Sequence, residues 1–181
     1  MNTIVLVMLS LFVGLAQPQP ATAEPMLYDV PLSEAQQQFV VEQAEKYDLS
    51  PSLCLAVMAI ESNFNTTADS GSSKGIMQLN VNTYPALAQD LMIADFDVYD
   101  FYDNTSAGIY KLSLERDYWK EQNFSDEEVF CAMLISYNRG RAGAEQYIKA
   151  NGLEASYVDK VLAYKSRLEE RGAKRGLSSA V

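Results

Sequence analysis

Apolar residues recur along this chain at helical spacing, and nowhere do they alternate with polar ones over a sustained strand-like run. The densest apolar run is Pro51-Ser-Leu-Cys-Leu-Ala-Val-Met-Ala-Ile60. It reads as a helix buried on every side rather than on one face. Ser50 supplies its N-cap, and Pro51 suits the first helical position, where a backbone N–H has no partner to lose. The helix is expected to end near Glu61. Ser33-Glu-Ala-Gln36 is a capping box that opens a helix to about Tyr47, and Ser125-Asp-Glu-Glu128 is a second one, opening a helix through Tyr137. Further helices are expected over 84–92, 103–121, 141–150 and 157–171. The stretch 65–80 is rich in Gly, Ser and Asp and reads as an irregular loop with at most short helical turns. The expected fold is therefore mainly α, with little or no β. No internal repeat or low-complexity stretch interrupts it.

The first residues follow a different pattern. The stretch 4–16 is apolar apart from Ser10, too short for a comfortable membrane span. Ala21-Thr22-Ala23 fits a small-x-small cleavage site, so 1–23 reads as a secretory signal and the mature chain starts at about Glu24. The region before the apolar run has no Lys or Arg, and a buried N-terminal helix is the alternative. A lipid anchor is not expected, because no Cys lies near the cleavage site, and neither is stable membrane insertion after cleavage.

Composition narrows the chemistry. The 181 residues suit one domain with short extensions, and 48% hydrophobic with 21% charged residues is a globular balance. A net charge of -10 argues against nucleic acid, whose phosphates need a basic surface. The chain has no histidine, which removes mechanisms built on an imidazole base and zinc sites that need one. Two cysteines alone cannot build a structural zinc site.

Glu61 is the candidate catalytic residue. Desolvation by neighbours such as Val57, Met58 and Phe64 disfavours its ionised form, and so does the negative end of the helix dipole. A carboxyl kept protonated near neutral pH is a general acid, the group that glycosidic bond cleavage requires. From this stretch alone an ordinary solvated Glu at a helix end is an equal reading.

The wider sequence separates the two. "AVMAIESNFN" (56–65), "ADSGSSKGIMQLN" (68–80), "AGIYKL" (107–112), "AMLISYNRG" (132–140) and "YVDKVLAY" (157–164) stand in this order. Together they resemble the soluble-type lytic transglycosylase (SLT) domain of the lysozyme-like superfamily, over about 49–164. The resemblance implies a lysozyme-like helical domain with a groove for a glycan strand. It implies cleavage of peptidoglycan between N-acetylmuramic acid and N-acetylglucosamine, leaving a 1,6-anhydro end. Glu61 would serve first as acid and then as base, so no second carboxylate, metal or cofactor is implied.

The same resemblance assigns further residues. Ser70 matches a serine facing the carboxylate, and Gln78 a glutamine that hydrogen-bonds the sugar. Met77 matches a groove-lining methionine, and Gly75 lets the loop backbone approach the groove. Tyr137 matches a tyrosine whose hydroxyl orients the glutamate, and Asn138 supports the site or the sugar. For each there is a plainer reading, as a turn, core or helix-end residue.

There are departures from the family pattern. The segment from Ser70 to Gly75 is about one residue short. Leu79-Asn-Val-Asn-Thr83 replaces the usual Met-Pro-Thr. Arg139 stands where a small residue is commoner. Asp69 stands where an apolar or small residue is usual, which leaves room for a muramidase, using water and a second carboxylate. The plainer reading of Asp69 is a loop residue capping a turn.

Cys54 lies seven residues before Glu61 and Cys131 seven before Asn138, so each sits two turns below a site residue. An even count in a secreted chain permits a disulfide, and two small buried thiols are the alternative. Asp95, Asp97, Asp100 and Asp103 lack the pattern of a calcium loop and read as a solvated face or helix start.

The chain is thus expected to comprise a signal (1–23), an N-terminal segment with the first helix (24–48), a catalytic domain (49–171) and a flexible tail (172–181). Its expected place is periplasmic or extracellular, associated with the cell wall. Its expected partners are peptidoglycan glycan strands, with secretion or conjugation machinery as a further candidate. A non-catalytic peptidoglycan-binding or secretion-assembly module is the reading from another class.

Overall fold

The computed structural model describes residues 27–178, with side chains described as far as Arg171. The expected signal lies outside the described residues. The elements are α1 (Glu34–Lys46), α2 (Pro51–Ser62), β1 (Ser73–Lys74), β2 (Leu79–Asn80), α3 (Tyr84–Asp90), α4 (Phe101–Lys120), α5 (Asp126–Arg139), α6 (Arg141–Asn151) and α7 (Ser156–Ser178). The architecture is mainly α, as expected. Its only strands among the described residues are a two-residue antiparallel pair, with Ser73 opposite Asn80 and Lys74 opposite Leu79.

The helix starts follow their caps. Ser33 and Ser125 each accept from the backbone three residues on, while Gln36 and Glu128 return a bond to the cap backbone. Ser50 accepts from Leu53 N–H ahead of Pro51. Asp100 accepts from the N–H groups of both Tyr102 and Asp103, so this part of the acidic stretch starts α4. Asp103 in turn accepts from Asp97 N–H.

Helix α2 is the centre of the fold. Every residue from Ser52 to Ala59 is buried, the outcome expected of a helix apolar all round. It packs on α1 and α7, while α4 packs on α1 and α5. Val40 and Ala44 of α1 belong to the same core as Leu55, Met58, Leu112, Leu134 and Val161. The first helix is therefore part of the domain's packing, not an appendage before 49. At the far side Trp119 donates its indole N–H to Ser136 Oγ at 2.9 Å and stacks on Phe124. A smaller cluster of Leu79, Leu87, Val98 and Ala107 sits where α3 meets α4.

At the C-terminal end the structure departs from expectation. Helix α7 does not stop at Arg171 but continues to Ser178. The segment expected as a tail is rich in Ala, Lys, Arg and Leu, good helix formers that carry the backbone through two glycines. Among the described residues no helix is long and apolar enough to cross a membrane.

Candidate active site

The end of α2 is built to aim Glu61. Asn63 and Phe64 both adopt left-handed backbone, with φ of 52° and 64°. Asn tolerates this conformation, but a bulky Phe holds it only when its surroundings insist. They do: Phe64 is buried and its ring lies 6.4 Å from that of Tyr164 on α7. Ser62 Oγ donates to Ile76 O at 2.7 Å, tying the helix end to the loop between β1 and β2. The helix therefore stops abruptly with Glu61 in its last turn, fixed between two other elements.

A cleft of about 400 Å³ opens there, lined by Glu61, Ser70, Ser73, Gln78, Asn80, Thr83, Lys111, Tyr137, Asn138, Arg139 and Gly140. Four of these, Ser70, Gln78, Tyr137 and Asn138, are sequence candidates that the fold brings together around Glu61. Glu61 is the one carboxylate in the lining.

The Glu61 carboxyl is half-buried, and desolvation pushes its pKa above the ordinary value. Two contacts act the other way. The Tyr157 hydroxyl donates to Glu61 Oε1 at 2.5 Å, and the Lys111 cation lies close enough to favour the carboxylate. Burial wins. Tyr157 stands in the first turn of α7, and its own hydroxyl is raised far above its usual range by burial and by Glu61.

Lys111 Nζ donates to Tyr137 O at 3.0 Å and sits 3.8 Å from the Tyr137 ring centroid. Burial brings its pKa down to about 8, against the pull of Glu115 and Glu61. The Tyr137 hydroxyl donates to Met77 O at 2.8 Å. The expected bond from Tyr137 to Glu61 is thus made by Tyr157 instead, because the Tyr137 ring lies under Lys111 with its hydroxyl turned to the loop.

Comparison with known families and structures bears on this geometry. A family model for the transglycosylase SLT domain matches residues 38–159. The chain belongs to this family. Comparison with curated proteins gives no match. Among solved structures, an inactive mutant of the lytic transglycosylase Slt from Pseudomonas aeruginosa matches with a TM-score of 0.64 at 19% identity. The match covers 78% of this chain and 24% of that one, so the SLT chain spans about a quarter of that protein's length. At this identity the likeness concerns the fold alone, a mainly helical domain. The matched span of the SLT domain contains Glu61, Lys111, Tyr137 and Tyr157.

Two sequence candidates of the SLT domain do not reach the cleft. Met77 is fully buried, with its sulfur packed where a Cβ on Gly108 would have to stand, 2.3 Å away. Its contribution is backbone: its N–H donates to Asn104 Oδ1 at 2.8 Å and its carbonyl receives Tyr137. Gly75, at φ 78°, faces α4 and not the groove. A Cβ there would lie 2.1 Å from Asn104 Nδ2, so glycine is what lets the loop seat on that helix. Asn104 fills the contact by donating to Lys74 O and Val98 O.

The loop's polar residues divide between structure and cleft. Ser70 Oγ donates to Ser73 O and accepts from Ser73 N–H, both at 3.2 Å. Gln78 donates through Nε2 to Ala68 O and Gly75 O, each at 3.1 Å. No bond to its side-chain oxygen is present among the described residues. Asp69 is outside the lining. It accepts from Gly71 N–H at 2.7 Å, from Lys74 at 2.5 Å and from Tyr99 at 2.7 Å. These contacts hold its carboxyl well below the usual range. It caps a turn.

Both cysteines are free thiols. Cys54 is enclosed in the core among residues of the central cluster, its thiol pushed up to about 12 by burial. Cys131 is half-buried and feels Glu127 and Asp159. The two thiols thus sit in different surroundings, one enclosed in the core and one half-buried.

Sequence reasoning missed Tyr157 and Lys111. Both lie inside quoted motifs, "YVDKVLAY" and "AGIYKL". A lysine inside an otherwise apolar helix face was a readable signal. Nothing local to Tyr157 ties it to a residue 96 positions earlier.

Proposed function

We infer that the protein is a peptidoglycan lytic transglycosylase, cutting the β-1,4 bond between N-acetylmuramic acid and N-acetylglucosamine to leave a 1,6-anhydro end. The observation that carries this reading is that Glu61 stands as the single carboxylate of the cleft, with a raised pKa and one oxygen held by Tyr157.

Oε1 accepts from the phenol, so the proton of the neutral acid sits on Oε2. From there it passes to the glycosidic oxygen as the bond to the anomeric carbon breaks. The substrate's own N-acetyl group shares the positive charge that develops. The Glu61 carboxylate then takes the proton of the muramic acid 6-hydroxyl as that oxygen bonds to the anomeric carbon. The carboxyl ends as it began, and no water is consumed. Tyr157 and Lys111 stabilise the transient carboxylate, so the same group is acid before cleavage and base after it. A retaining or inverting hydrolase places a second carboxylate across the bond. Asp69, the nearest candidate, is committed to Lys74 and Tyr99.

Ser70, Gln78 and Asn138 are assigned to sugar contacts, with Gln78 accepting through its free oxygen. Such a substrate places the protein's action outside the cytoplasm, and 1–23 is assigned as its secretory signal. Digestion of purified peptidoglycan by the protein and by Glu61→Gln, followed by mass spectrometry, tests the reading. Anhydro-muramic ends that depend on Glu61 support it. Reducing ends indicate a muramidase, and binding without cleavage indicates a non-catalytic module.

A further inference from the structure

The chain carries a net charge of -10, yet its cleft is cationic. Lys111 and Arg139 both line it, and its one carboxylate, Glu61, has a raised pKa. None of the ion pairs among the described residues includes either cation. The buried carboxylate nearest in sequence to Lys111 on α4, Glu115, is taken by Arg141 at 3.2 Å. Lys111 Nζ has one acceptor, Tyr137 O, which leaves two of its three N–H donors for a ligand. Arg139 is stacked on the Tyr147 ring at 4.1 Å, which orders the guanidinium without using its in-plane donors.

We propose that Lys111 and Arg139 form a carboxylate-binding subsite beside Glu61, which selects glycan strands bearing a free carboxylate on the muramic acid side chain. The inference rests on the transglycosylase reading and names the substrate that reading leaves open. Lys111 is half-buried and in none of the ion pairs among the described residues, a cost that an anionic ligand offsets and a neutral sugar does not, and the exposed Arg139 guanidinium adds fork-shaped donors at the same cleft. Muramic acid offers a carboxylate from two sources. One is its lactyl group, free only where the peptide stem has been removed. The other is the stem itself, whose carboxylates lie several bonds further out.

The test measures kcat/KM on four soluble substrates: stem-bearing strands, stem-free strands, and each of these with its carboxylates amidated. The expected result is that amidation lowers kcat/KM about tenfold or more on one strand type, mainly through KM. The strand type that responds identifies the source. Lys111→Met and Arg139→Gln should each shrink that ratio toward unity. Arg139 is exposed, so its variant retains the fold even if Lys111→Met does not. Lys149→Gln, the same charge change on an exposed position of α6, should leave the ratio intact. Equal kcat/KM on free and amidated strands overturns the subsite while leaving the transglycosylase reading standing. So does an equal loss on both in the two cleft variants, since they would then act through Glu61 rather than on the substrate. Failure to cleave any of the four overturns the transglycosylase reading itself.

Discussion

The Tyr157 hydroxyl and Glu61 Oε1 are 2.5 Å apart, although 96 positions separate the two residues. The contact joins the last turn of α2 to the first turn of α7. It leaves Oε2 as the carboxyl oxygen without this partner. Tyr157 also favours the carboxylate over the acid. Removing the hydroxyl in Tyr157→Phe should therefore raise the Glu61 pKa further. The alkaline limb of the pH–rate profile should move up, and kcat should fall about tenfold as the acid loses its positioning contact. A kinetic pH titration of the variant beside the parent checks both.

Tyr137→Phe should behave differently. Its hydroxyl donates to Met77 O, a bond that holds the loop. The expected outcome is a loss of about 1 kcal/mol of stability with the alkaline limb unmoved. Denaturant unfolding and the same pH titration separate the two tyrosines.

Glu61 should also weaken the fold that carries it. Its folded-state pKa is raised above the ordinary carboxyl value of 4.5. Between those two values the folded chain binds more protons than the unfolded one, so stability falls as pH rises through the window. Glu61→Gln removes that dependence. The variant should be more stable than the parent at neutral pH, and the difference should vanish below the ordinary carboxyl pKa. Thermal melts at several pH values read this directly.

The loop that forms one wall of the cleft depends on Gly75. Alanine there meets Asn104 and Val98 O within 2.3 Å at a backbone angle unsuited to a side chain. Gly75→Ala should destabilise by about 2 kcal/mol or more and lower activity with it. Gly71, at φ 83° but with open space around it, should tolerate alanine better.

How much of this was legible depends on whether the cause was local. Capping boxes at Ser33 and Ser125 and the Ser50-Pro51 start are local chemistry, and the helices begin where they say. The all-round apolar run fixed α2 as the central helix for the same reason. Glu61, Ser70, Gln78, Tyr137 and Asn138 were readable through motif order, and the fold gathers them on one cleft. Met77 and Gly75 sit in the same motif but face α4. Alternate directions within a tight loop are set by what packs beneath it, here Asn104 and Gly108, and the motif carries no trace of that. The Tyr157–Glu61 bond depends on how α7 returns across α2, a tertiary fact that no window of sequence contains. The end of α7 was misjudged because two glycines weigh against a helix locally without forbidding it.

In the proposed reaction one carboxylate suffices because the nucleophile belongs to the substrate. Digesting peptidoglycan in heavy-oxygen water tests it most directly. Muramic acid ends should be anhydro and carry no label, and Glu61→Gln should give no products at all. Heavy oxygen at a reducing end would contradict it, since water would then be the nucleophile and a second activating group would have to exist.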